Sequence, residues 1–223
     1  IMQRLEPTLV LATTTIVFAV ILAVPMGILA GWKSGLWADR IVMVFSVLGF
    51  SVPVFVIAYI LVLIFSVDLR WFPVQGYSSL SDGLPGTLRS ITLPTISLGL
   101  AFIALIARIT RATMIEVLAD DYIRTAYAKG LSDPRILIRH ALKNAGVPIV
   151  TVIGVGIAGL LGGVVITETV FNLPGLGRLM VDAILARDYP IIQAVILLFS
   201  AVYVVINVSI DIIYTFIDPR IRY

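Results

Sequence analysis

The 223-residue sequence contains no cysteine and a single histidine. Disulfides and thiolate metal sites are therefore excluded, and a histidine metal cluster cannot form. Charge is scarce too. Only 13% of the residues are Asp, Glu, Lys or Arg, about half of the roughly 25% found in soluble domains. Enzymatic fingerprints are missing. The nearest approach to a phosphate loop is Gly27-Ile-Leu-Ala-Gly31-Trp32-Lys33-Ser34, where Trp32 separates Gly from Lys at the end of an apolar run. The opening residues lack the charged n-region, short h-region and cleavage site of a signal peptide. What abounds is apolar: 60% of the residues are hydrophobic, with a mean hydropathy of +1.08. A soluble 24.2 kDa domain has too little interior to hide that surface. An ordinary soluble enzyme and a disordered chain are excluded, and an integral membrane protein is expected.

Charge-free apolar runs place the spans. Leu9 to Ala30, Ile41 to Val67, Ile91 to Ala107, Val147 to Ile166 and Tyr189 to Ile210 each fall in the length range of a membrane-spanning helix or exceed it. Membrane barrels use shorter alternating segments, which are absent, so the expected fold is an all-α polytopic bundle with about five transmembrane helices. Lys and Arg then set the sidedness. One side collects Lys33, Arg40, Arg108, Arg111, Arg124, Lys129, Arg135, Arg139, Lys143, Arg220 and Arg222. The other has Arg4, Arg70, Arg89, Arg178 and Arg187. The richer side reads as cytoplasmic, which puts the N-terminus outside and the C-terminus inside. Trp71, Phe72 and Tyr77 read as an outer aromatic belt, and Trp32 and Trp37 as an inner one. Glycines four apart, at Gly27/Gly31, Gly31/Gly35 and Gly159/Gly163, read as close helix contacts. A single membrane domain over residues 1–223 is the simplest organisation.

The stretch 108–146 is too long for a simple connection. Glu116 to Gly130 reads as a helix ending at Gly130, with Lys129 on the negative end of its dipole. Ser132-Asp133-Pro134 then reads as a fresh N-cap with proline in the first turn. Tyr122, Ile123, Ala126 and Tyr127 give the first of these helices an apolar face among charges. That face suits either the membrane surface or a docking partner. Four acids, Glu116, Asp120, Asp121 and Asp133, offset the seven bases of this loop, so nucleic acid is not an expected partner. The lone His140 has no carboxylate at fixed spacing and reads as structural. In a second segment, 167–188, Glu168, Arg178, Asp182, Arg187 and Asp188 surround Phe171, Leu173, Pro174 and Leu176. Solvated ion pairs or a lip over a cavity would both fit it.

Motifs taken in order along the chain resemble one family. Tyr122-Ile-Arg-Thr-Ala-Tyr-Ala-Lys-Gly130, followed by Arg139-His-Ala-Leu-Lys-Asn144 and Pro148, looks like the coupling loop of permeases of binding-protein-dependent ABC importers of the dipeptide/oligopeptide/nickel branch. In the general importer pattern, Arg124-Thr125-Ala126 stand at the Glu-Ala-Ala positions, with Gly130 following. Glu168-Thr-Val-Phe-Asn-Leu-Pro-Gly-Leu-Gly-Arg-Leu179 resembles the branch's external segment, and Arg187-Asp-Tyr-Pro190 and Asp218-Pro-Arg-Ile-Arg222 are similar as well. The resemblance implies a type I importer permease fold that lacks the family's first span. It also implies a bacterial or archaeal cytoplasmic membrane, a second homologous permease, two ATP-binding cassette ATPases and an extracytoplasmic substrate-binding protein. ATP and Mg would be used by the ATPases, with no cofactor, metal or catalytic residue on this chain. The implied solutes are peptides, with glutathione and nickel as alternatives. Coupling to the ATPase would fall to Asp121, Tyr122, Arg124, Thr125, Ala126, Lys129 and Gly130. Contact with the binding protein, or gating, would fall to Glu168, Phe171, Pro174, Gly175, Gly177 and Arg178. The rival reading is an ion-coupled secondary transporter or channel, which needs ionisable groups or broken helices at mid-membrane.

Overall fold

The computed structural model describes the backbone of residues 2–217, and the side chains of all of these except 158, 161 and 214–217. The motif Asp218-Pro-Arg-Ile-Arg222, with the basic residues Arg220 and Arg222, lies outside the described residues. In chain order the helices are α1 (Met2–Trp32), α2 (Trp37–Ser51), α3 (Val54–Leu61, continued as π-helix over Val62–Asp68), α4 (Leu84–Leu118), α5 (Asp121–Ala128), α6 (Asp133–Arg135, continued as π-helix over Ile136–Ala141), α7 (Leu142–Val170), α8 (Leu176–Ala186) and α9 (Tyr189–Ile217). No strand occurs among the described residues.

Four of these stretches are long and apolar enough to cross a bilayer, and α2 with α3 makes a fifth if that pair counts as one broken span. The break falls at Pro53, whose φ of −58° and ψ of 139° leave the helix. Its ring removes a donor and restricts the residue before it. The boundaries shift most at α4. The third span was expected to stop at Ala107, before Arg108, with a separate helix over Glu116–Gly130. Instead α4 runs through to Leu118 as one 35-residue helix. Nothing in residues 108–118 breaks a helix, and charge ends a span without ending the helix that carries it.

The chain forms two compact units. The first comprises Ile1–Phe18, Val52–Ala101 and Ile157–Val205. Its interior holds Leu11, Ile91, Leu93, Leu98, Phe171, Leu173 and Leu176. The second comprises Ala19–Ser51, Phe102–Gly156 and Ile206–Tyr223. Its interior is a cluster of Met114, Val117, Ile123, Ala126, Ile136, Leu137, Ala141, Ala145 and Ile149, with Val24, Ile28 and Trp32 packed against it.

Small residues set the helix contacts unevenly. A Cβ on Gly27 would meet Thr110 Cβ at 2.5 Å, and one on Gly31 would meet Met114 Cβ at 2.7 Å, so α1 approaches α4 along both. Gly35 has no such role: it sits in the turn after α1 with φ +80° and open space around it. Of the other expected pair, Gly163 abuts Leu98 while Gly159 faces open space.

Candidate functional site: an exposed helix and a buried carboxylate

In the second unit, α5 is a single short helix between two long ones. Asp120 begins it in extended conformation, φ −67° and ψ 147°. Its C-terminal end is capped. Gly130 N donates to Tyr127 O at 2.9 Å and Leu131 N to Ala126 O at 3.3 Å. Gly130 itself has φ +76°. This is the Schellman arrangement, which needs a left-handed residue after the last helical turn and is easiest with glycine. Leu131 completes it by packing against the cluster that holds Ala126.

The sequence-predicted coupling residues divide by exposure. Ala126 is buried, 6% exposed, and so is its neighbour Ile123 at 1%. Asp121, Tyr122, Arg124, Thr125, Lys129 and Gly130 are exposed. Arg124 and Asp121 pair at 3.6 Å on the surface. Asn144 Nδ2 donates to Tyr122 Oη at 2.7 Å, tying α5 to the first turn of α7. Partial burial, followed by the nearby Asp133 carboxylate, pushes the Tyr127 phenol up. Two apolar residues thus anchor the helix, and it presents charge outward.

Sequence reasoning missed an ion pair in the same unit. Asp39, 5% exposed in the first turn of α2, binds Arg111 of α4 through both carboxylate oxygens, one of them to Nη2 at 2.7 Å. Gly35 N adds a bond to Asp39 Oδ2 at 2.8 Å. A bidentate, backbone-supported pair of this kind holds its geometry better than a surface pair. The partners are 72 residues apart, so no local spacing signals them.

In the first unit, the segment 168–178 turns inward. Glu168 and Phe171 are buried at 0% and 2% exposure, Gly175 and Gly177 are buried, and Pro174 and Arg178 are half-buried. The Glu168 carboxylate accepts from Thr8 Oγ1 at 2.5 Å and from Arg178 N at 3.0 Å. Thr8 Oγ1 in turn accepts from Leu176 N at 2.8 Å. Leu176 and Arg178 are in the first turn of α8, whose N-terminal N–H groups have no partner within the helix. Glu168 and Thr8 supply them, and the carboxylate also meets the positive end of the helix dipole. A side chain at Gly175 would overlap the Glu168 carboxylate, and a Cβ on Gly177 would lie 2.7 Å from Val165 Cα. The two glycines are what let a carboxylate reach this helix end. Of the expected ion pairs, Arg178 and Asp182 stand 3.9 Å apart.

Two residues before Thr8, Glu6 holds a different piece of chain. Its Oε1 accepts from Ser79 Oγ at 2.8 Å, Leu80 N at 2.8 Å and Tyr77 Oη at 3.0 Å. Tyr77 was expected in the outer aromatic belt. Partial burial, followed by the bond to Glu6, pushes its phenol up to about 12. Gly76 N donates to Phe171 O at 3.1 Å, so the 69–83 loop is also tied to the 168–178 segment.

Among the described residues, no group of three or more His, Asp or Glu could hold a metal ion. The glycine run Gly27–Gly31 lies inside α1 and forms no loop.

Comparison with known proteins places this arrangement. Residues 23–223 match the family described as binding-protein-dependent transport system inner membrane component. The chain is 57% identical over 221 residues to a probable peptide ABC transporter permease protein of Sinorhizobium fredii, covering 99% of this chain and 71% of the relative. It is 44% identical over 223 residues to the glutathione transport system permease protein of Escherichia coli, covering 100% of this chain and 70% of the relative. Among solved structures, an inward-facing form of the MetNI methionine ABC transporter matches with a TM-score of 0.76 and 16% identity, over 97% of this chain and 95% of that one. This last likeness shows the fold, that of a type I ABC importer permease. The chain belongs to the inner-membrane components of binding-protein-dependent transport systems and is a multi-pass permease subunit of an ATP-driven ABC importer.

Proposed function

We propose that the solute is a peptide or a peptide-like small molecule such as glutathione, delivered by an extracytoplasmic binding protein. The support is the two named relatives, one a peptide and one a glutathione permease, each matched over essentially the whole of this chain. The chain pairs with a second permease subunit, and ATP and Mg are handled by two separate ATPase subunits, with no catalytic step on this chain. The side rich in Lys and Arg is cytoplasmic, so the described N-terminal end is outside and the C-terminal end inside.

One observation carries the coupling role. Helix α5 is anchored by buried Ile123 and Ala126, while Asp121, Tyr122, Arg124, Thr125 and Lys129 face outward. We assign that outward face to the ATPase groove. A helix seated on the protein interior transmits a push from its exposed face to the helices beneath it. Ala126 acts in this as an anchor and not as a contact. The 167–188 segment takes part on the outer side through its exposed residues, such as Asp182, Ile184 and Leu185, because Glu168 and Phe171 face inward.

The test is reconstitution of the complete importer in proteoliposomes, with ATP-dependent uptake of a dipeptide and ATP hydrolysis measured together. Reversing one exposed charge, Arg124→Glu, is expected to lower uptake per ATP hydrolysed by at least about tenfold. Uptake that persists without the ATPase subunits would overturn the reading in favour of secondary transport.

A further inference from the structure

Two arginines one turn apart on α4 are treated differently. Arg111 is locked to Asp39. Arg108 is exposed, and no ion pair or hydrogen bond engages its guanidinium among the described residues. It opens on a cleft of about 210 Å³ in the second unit, lined by Ser46, Val47, Phe50 and Ser51 of α2 and by Ala104 and Leu105 of α4. Val47 and Phe50 are 59% and 65% exposed, so the cleft is bordered by open apolar surface. Arg108 thus stands at the end of a membrane-spanning stretch with its guanidinium free to meet an anion at the cleft.

We propose that this cleft is a subsite for the carboxylate end of the transported solute, with Arg108 as the hydrogen-bond donor to that carboxylate. The proposal rests on the peptide reading above and adds the residue that recognises the solute's charge. The chemistry of the lining fits one end of a peptide. Arg108 offers a planar fork of donors that matches a carboxylate. Ser46 Oγ donates to Val42 O at 2.8 Å and Ser51 Oγ to Val47 O at 2.7 Å, so both hydroxyls face the cleft as acceptors, suited to a peptide N–H or an ammonium. Phe50, Val47 and Leu105 provide an apolar wall for a side chain. The volume is below the roughly 300–1,000 Å³ of a complete small-molecule pocket, so the cleft holds one end of the solute and not the whole. Loose, partial binding is what a transport path needs, because the solute must also leave.

The experiment uses the complete importer in proteoliposomes and two solutes, the dipeptide Ala-Phe and its C-terminal amide. For each solute the uptake rate of a variant is divided by that of the parent protein, so the binding protein's own preference cancels. Arg108→Gln is expected to lower the ratio about tenfold more for the acid than for the amide, the effect of one charge-assisted hydrogen bond. Arg108→Lys keeps the charge and loses the fork, and is expected to show a smaller difference between the two solutes. Equal ratios for acid and amide in both variants would overturn the proposal. So would loss of bound anionic phospholipid from the Arg108→Gln complex, seen by native mass spectrometry, without an acid–amide difference; the cleft would then hold a lipid phosphate. Absence of any ATP-dependent uptake by the parent complex would instead count against the peptide reading itself.

Discussion

Along 121–130 every charged side chain faces outward, and two apolar residues, Ile123 and Ala126, hold the helix in place. Along 168–178 the acid is interior, its donors come from Thr8 and the first turn of α8, and two glycines make room for it. In sequence the two segments look alike, each a mix of charges, aromatics and glycine. The structure makes one a presented surface and the other a packed joint. Substitutions should therefore act through different quantities: through stability where the motif is buried, and through coupling where it is exposed.

The sharpest way to break this contrast is Gly175→Val, which drives a branched side chain into the Glu168 carboxylate. To make room the buried acid must give up its bonds to Thr8 and Arg178, and a large loss of folded protein is expected, measured as monodisperse yield on size-exclusion chromatography after detergent extraction. A smaller effect is expected from Ile123→Ala, which empties a buried site beneath α5. The cost should be about 2–5 kcal/mol. At the roughly 2–4 °C per kcal/mol of a chain this long, that lowers the melting midpoint by several degrees in a thermal-shift assay. Smallest on stability is Thr125→Ala, on the exposed face of α5. Its midpoint should stay within about 2 °C of the parent, while uptake per ATP hydrolysed falls. A stability loss at Thr125 comparable to that at Ile123 would erase the distinction between presented and packed residues.

The spans were legible because hydrocarbon tolerates almost no charge, so charge-free runs had to be the buried lengths. The cap of α5 was legible for a local reason, since Gly130 followed by Ser132-Asp133-Pro134 spells one helix end and the next helix start. The end of α4 was not legible, because a helix leaving the bilayer keeps its hydrogen bonds while its side chains change from apolar to charged. The Asp39–Arg111 pair joins positions remote in sequence, and each alone looks like an interfacial charge. The interior position of Glu168 was not legible, because acids are rarely buried. The available clue was Gly175 and Gly177, two positions without Cβ shortly after it.

The capping of α8 by Glu168 has an electrical consequence. A helix N-terminus is normally an attractive point for passing anions. Here that position is filled from inside by the protein's own carboxylate. The N–H groups of Leu176 and Arg178 are therefore not available to an outside anion. In the proposal above, the preference for acids over amides is carried by Arg108 and not by this helix end.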